Sequence, residues 1–153
     1  MSDSLVFKLL MAVIESRAIG DHDNIYIVDD GIIGKRCRNE DRAHNEYNIG
    51  KYLLDNEIQV PKMYQLITPD SFHQFDNNAP EDWFILMQRI KGETINGLAG
   101  TEKKEAIHQR NLELEKVSAL DIHHPDSAHD DNSIFDTKRR KLYLIDFEHW
   151  RRL

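Results

Sequence analysis

Between His123 and Trp150 the chain crowds its chemistry-bearing side chains into one stretch, "HHPDSAHDDNSIFDTKRRKLYLIDFEHW". His123, His124 and His129 stand among Asp126, Asp130 and Asp131, and an apolar run then ends on Asp146. Two chemistries fit such a set. Imidazoles beside carboxylates suit zinc, iron or manganese, which His123, His124, His129 and Asp130 could ligate. Carboxylates and an amide presented by a loop and a strand end suit magnesium beside phosphates. In that second reading Asp146 closes an apolar run, where an unpaired carboxylate is costly unless it meets a cation or a donor. Asn132 lies fourteen residues before Asp146, on the first strand of the same hairpin, and its side-chain carbonyl is a hard oxygen ligand. Asp126, six residues before Asn132, could take a proton from an attacking hydroxyl.

A second constellation lies in the first half. Glu46, Ile49 and Leu53 fall at i, i+3 and i+7, so a carboxylate shares a helical stripe with apolar residues. A carboxylate on a core-facing stripe calls for a cation. Ile33, Lys35 and Cys37 alternate onto one face of the preceding strand, which points Lys35 the same way as two apolar side chains. The two patterns together predict a buried Lys35–Glu46 ion pair.

The elements that must position these groups follow from local patterns. "LVFKLLMAVI" near the N-terminus is apolar but carries Lys8 and is too short to span a bilayer, so it reads as a core-facing helix or strand. "NIYIVDDGIIGKRC" reads as two strands around an Asp-Asp-Gly turn. From Asn39 to about Asn56 the pattern is helical, with Asn39 as cap and Glu40 and Asp41 suited to the first-turn dipole. "VPKMYQLI" is an entry loop and strand, "DSFHQFDNNAPED" a turn-rich connector, and "WFILMQRI" a strand ended by Gly92. A second helix runs from Thr101 to about Leu120, with Ile107, Leu114 and Val117 on one side. "SIFD", a basic tip at Lys138 to Lys141, and "KLYLIDF" close the chain as a hairpin. The layout is α+β, with the main sheet in the first half.

Composition bounds the partners. At 153 residues with 40% hydrophobic and 31% charged residues, one globular domain spanning 1–153 is expected. A net charge of −7 excludes a general basic footprint for nucleic acid, and no membrane partner is expected. Cys37 is the single cysteine, so no intramolecular disulfide can form and a reducing, cytoplasmic setting is expected.

Taken in order, these residues resemble the protein-kinase-like superfamily, closest to its small atypical and aminoglycoside or choline phosphotransferase-like branch. Lys35 resembles its strand lysine and Glu46 its helix glutamate. "HPD" at His124 to Asp126 resembles the catalytic loop, Asn132 its asparagine, and "IDFE" at Ile145 to Glu148 the metal-binding turn. "WFILMQRIKGETI" resembles the strand and hinge, with Met87 in the gatekeeper place and the backbone from Gln88 to Ile90 meeting adenine. The resemblance implies ATP and Mg2+ as cofactors. It implies Lys35 on the phosphates, Asn132 and Asp146 on the metal, Asp126 as base and His124 supporting the loop backbone. The implied fold is an N-terminal antiparallel sheet with one helix at about 1–90. A reduced C-terminal lobe of one main helix and a hairpin would occupy about 91–153.

The sequence departs from that pattern in four places. The glycine-rich loop should lie around "AIGDHDNIYIV", yet only Gly20 is present and Asp21 and Asp23 would approach phosphates. The spacing from Asp126 to Asn132 is one residue longer than usual, and Glu148 replaces a glycine. The chain also stops seven residues after Asp146, so no activation segment is expected and a protein partner could complete the short second lobe. The expected function is phosphoryl transfer from ATP to a hydroxyl acceptor, small molecule or protein. The alternatives are a pseudokinase that binds nucleotide or a partner without catalysis and, third, the His/Asp metal-dependent phosphohydrolase.

Overall fold

A computed structural model describes residues 3–19 and 24–153 of the chain. It divides into two compact units, Met1–Tyr47 with Met63–Arg89, and Asn48–Lys62 with Ile90–Leu153.

The first unit is built on a four-stranded antiparallel sheet. Its strands are β1 (Ile25–Asp29), β2 (Ile32–Cys37), β3 (Met63–Ile67) and β4 (Trp83–Gln88), in the order β1-β2-β4-β3. β2 pairs with β4 along its whole length, from Ile32 opposite Gln88 to Cys37 opposite Trp83. Antiparallel partners share a face, so Lys35 with Ile85 and Ile33 with Met87 lie on one side of the sheet. The other side carries Phe84 and Leu86, which join Tyr26, Val28, Ile67 and Phe72 in the core.

The apolar N-terminal stretch is helical, forming α1 (Asp3–Ile14). Val6, Leu9, Leu10 and Val13 recur at helical spacing and pack into that core. Gly34 explains the close approach, because a Cβ there would run into the Leu9 side chain. The connector after β3 holds a short helix the sequence pattern concealed, α3 (Pro69–His73). Thr68 caps it by accepting the Ser71 N–H at 3.3 Å, Pro69 suits its first turn, and Phe72 anchors it fully buried. The first unit therefore carries more than the one expected helix α2 (Glu40–Asp55), whose residues after Tyr47 group with the second unit.

In the second unit α4 (Gly100–Ala119) packs on β8 (Lys141–Leu144), which pairs with β7 (Ser133–Asp136). β5 (Glu93–Thr94) adds a third strand beside β7, and β6 (Ile122–His123) pairs with β9 (Arg151–Arg152). The hairpin is thus wider than expected. Gly92 precedes β5 where a Cβ would strike the backbone of Phe135, so only glycine lets the two strands meet. The segment after α2 joins this unit through backbone bonds: the Leu144 N–H donates to the Gln59 carbonyl at 2.9 Å.

The face of α4 differs from the expected one. Val117 is fully buried, but Ile107 and Leu114 are half-exposed, and the buried stripe is Ala106, Arg110, Glu113 and Val117. Two charged residues displace aliphatic ones because both find partners. Glu113 accepts the Gln59 N–H at 3.2 Å and pairs with Lys116 at 3.0 Å, while Arg110 reaches the loop before β7. Among the described residues no helix is long and apolar enough to cross a membrane.

Candidate functional site

Lys35 sits mid-strand on β2 and Glu46 one and a half turns into α2. Lys35 Nζ donates to Glu46 Oε1 in a close ion pair. The Glu46 side chain is only 2% exposed and that of Lys35 13%, so the pair is held out of bulk water. Burial of this kind is tolerated only with a partner in place. The pairing fixes the ammonium on the sheet face that also carries Ile85 and Met87. On that face the ring of His44 from α2 also packs at a tilt against Trp83, 5.2 Å between centroids.

In the second unit, three oxygen-bearing residues gather at one end of the β7–β8 hairpin. The Ile145 N–H donates to the Asn132 carbonyl at 3.1 Å, which sets Asn132 opposite the residue just before Asp146. The Asn132 side-chain amide donates to the Asp126 carbonyl at 2.7 Å, tying the start of the loop to its end. The amide nitrogen only donates, so Oδ1 is the atom Asn132 can offer a hard cation. Asp126 and Asp146 are both exposed and both sit in the left-handed backbone region, at φ 57° and 65°. Aspartate bears this conformation better than most residues, and Ser16, Glu57, Asp121 and Arg140 adopt it elsewhere in the chain.

Backbone bonds close the loop from Asp126 to Asn132 on itself. The His129 N–H donates to Asp126 O and the Asn132 N–H to His129 O, each at 3.0 Å. His124 sits at its entrance, with Nδ1 2.6 Å from Ser127 Oγ and Nε2 2.9 Å from Ser118 Oγ on α4. Its ring also packs at a tilt against Trp150, 5.6 Å between centroids. Burial lowers the His124 pKa below 6.5, and the neighbouring His123 adds to this against an opposing backbone hydrogen bond. A neutral imidazole bridges two hydroxyls naturally, donating to one and accepting from the other. His124 therefore ties the loop to α4.

Two side chains that the sequence did not single out hold this region from α4. Arg110, 9% exposed, donates through one guanidinium nitrogen to Ala128 O and to Asp130 Oδ1, both at 2.9 Å. Gln109 donates to Arg140 O and accepts from the Leu142 N–H, both at 2.9 Å, fastening β8 to the same helix. The spacing of Arg110 at i+4 from Ala106 and i−7 from Val117 was the one available signal for it.

The remaining candidates are placed as follows. Met87 is buried near the end of β4, and Gln88 and Ile90 flank Arg89, whose N–H donates to Gly31 O at 2.9 Å. Glu148 is 3.2 Å from His149. His129 faces Asp131 at 3.7 Å, while His123 is exposed on β6. Among the described residues no three His, Cys, Asp or Glu side chains cluster as a metal site. Gly20, Asp21 and Asp23 lie outside the described residues; beside them, Ile19 donates to Ile25 O at 2.8 Å and Ala18 bridges Tyr26.

No protein-family model and no curated protein matches the chain by sequence. Among solved structures it is similar to the Cydia pomonella granulovirus kinase PK-1, with a TM-score of 0.64 and 13% identity. The match covers 99% of this chain and 58% of that one, so the chain spans under two thirds of the viral kinase's length. At that identity the likeness is one of architecture, and the fold of this chain is kinase-like.

Proposed function

We propose that the chain is an ATP- and magnesium-dependent phosphotransferase that passes the γ-phosphate to a hydroxyl acceptor. One observation carries the reading. Asn132 is hydrogen-bonded to the Asp126 carbonyl and to Ile145, which groups Asp126, Asn132 and Asp146 at one hairpin end in a kinase-like fold. The buried Lys35–Glu46 pair in the first unit supports it.

Each side chain then has a role suited to its chemistry. Lys35 binds the α and β phosphates, with Glu46 fixing the direction of its ammonium. The backbone at Gln88 and Ile90 receives the adenine beside Met87, the Arg89 N–H being given to Gly31. Gly20, outside the described residues, is assigned to phosphate contact by the kinase resemblance alone. Asn132 Oδ1 and the Asp146 carboxylate are hard oxygens that fit magnesium, and would hold it. The ion, when bound, neutralises phosphate charge. Asp126 orients the acceptor hydroxyl and takes its proton as the oxygen bonds to phosphorus and ADP departs. His124 and Asn132 keep Asp126 in place. Catalysis of this kind is positioning and charge neutralisation, which a rigid loop supplies.

Titration with a fluorescent ATP analogue, with and without magnesium, tests the reading. Magnesium-dependent binding at micromolar to millimolar nucleotide is expected, followed by ATP turnover against a panel of hydroxyl compounds and proteins. Asp126→Asn should leave binding intact and lower turnover by on the order of a hundredfold. No binding at millimolar nucleotide sinks the reading, and binding without transfer to any acceptor replaces it with a nucleotide-binding pseudokinase.

A further inference from the structure

We propose that Arg110 is a positioning residue for phosphoryl transfer, its guanidinium bracing the Asp126–Asn132 loop so that Asp126 meets the acceptor; this rests on the phosphotransferase reading above. The loop is closed at its base by the Asn132 side chain on Asp126 O. That bond does nothing for the middle of the loop. Arg110 reaches the middle, holding Ala128 O and Asp130 Oδ1 with one nitrogen at 2.9 Å. On the other side the Ile95 N–H donates to Asp130 O at 3.2 Å, so Asp130 is held between α4 and the turn at Ile95–Gly97.

The placing of Arg110 argues for more than packing. An arginine on the buried stripe of a helix is costly to desolvate, and an aliphatic residue of equal volume serves stability as well or better. What the guanidinium adds is direction. It fixes one backbone carbonyl and one carboxylate of a loop that carries the proposed base and bears a left-handed Asp126 at φ 57°. The loop is also one residue longer than the family spacing it resembles, so it has a residue more to restrain. A displacement of about 1 Å at a reacting group is enough to cost on the order of a hundredfold in rate.

The test compares Arg110→Met, which keeps the stem and removes the charge, with Arg140→Met as control. Arg140 pairs with Glu105 of the same helix and lies at the exposed hairpin tip. Two readouts are taken. Amide hydrogen exchange at His129 and Asn132, whose N–H groups close the loop, should quicken about tenfold in Arg110→Met and stay level in the control. Steady-state Mg–ATP hydrolysis, with water as acceptor, should show kcat lowered ten- to a hundredfold while KM for ATP stays within about twofold. Arg110→Lys, which keeps the charge and one donor direction, should fall between, and it serves if the methionine variant does not fold. Millimolar guanidinium should restore part of the kcat lost in Arg110→Ala. Unchanged exchange overturns the brace whatever ATP does. Faster exchange with unchanged kcat overturns the positioning role. A wild type that turns over ATP neither with water nor with any acceptor of the panel overturns the phosphotransferase reading, and the positioning role falls with it.

Discussion

Removing Lys35 should destabilise the protein more than removing Glu46, and removing both should cost less than the two losses added. Lys35→Met leaves the Glu46 carboxylate on a stripe with Ile49 and Leu53, its side chain 2% exposed. Breaking a buried pair from the side that strands the deeper charge costs about 3–5 kcal/mol. Glu46→Gln keeps an acceptor for the ammonium, and Lys35 is 13% exposed on a four-carbon stem that can turn its charge to water. That loss should be nearer 1–2 kcal/mol, about the worth of a hydrogen bond to a charged group. The double variant holds no charge at either place, so the coupling should exceed about 0.5 kcal/mol. Urea unfolding followed by circular dichroism reads this directly. With a slope near 2 kcal/mol/M, a 3 kcal/mol loss moves the midpoint by about 1.5 M. The same cycle run on ATP affinity should also be non-additive if Glu46 acts through Lys35. Additive losses in both cycles would refute the reasoning, because residues that stabilise one another cannot act independently.

Two further outcomes follow from the second unit. Burial lowers the His124 pKa below 6.5, so the unfolded chain binds the proton first as pH falls. The stability conferred by neutral His124 is therefore complete above pH 6.5 and is lost between that value and the lowered folded one. His124→Gln should flatten that part of the stability–pH curve, and an unchanged slope would mean that the ring titrates freely. Asp146→Gly and Asp146→Ala both remove the carboxylate and should both abolish magnesium-dependent nucleotide binding. Only glycine accepts φ 65° without strain, so the glycine variant should unfold about 1 kcal/mol later than the alanine variant in a denaturant titration.

Local pattern sufficed for much of this fold. The strand-forming runs of β1 and β4, the alternation of Ile33, Lys35 and Cys37 in β2, the Asp-Asp-Gly turn and the capped start of α2 are each legible within a few residues, because these signals are local and pleat and helix repeat at 2 and 3.6 residues. Even the Lys35–Glu46 pair could be read from two such repeats, since a charge on an apolar face needs a partner and Glu46 shares the stripe of Ile49 and Leu53 on the adjacent element. The short α3 escaped because its cap and proline lie inside a polar connector, and what secures it is Phe72 reaching a core built from distant strands.

What the sequence determined by itself was thus where the main strands and the two long helices lie and where the chain turns, both set by neighbours in the chain. Which charged residues could be buried was decided only by the tertiary structure. Periodicity nominated Ile107 and Leu114 for the inner face of α4, yet Arg110 and Glu113 occupy it, with partners 20 and 54 residues away at Asp130 and Gln59. A buried charge is stable only when a particular acceptor or donor arrives at about 3 Å. That arrival depends on strand register and loop path, which no local window of sequence contains.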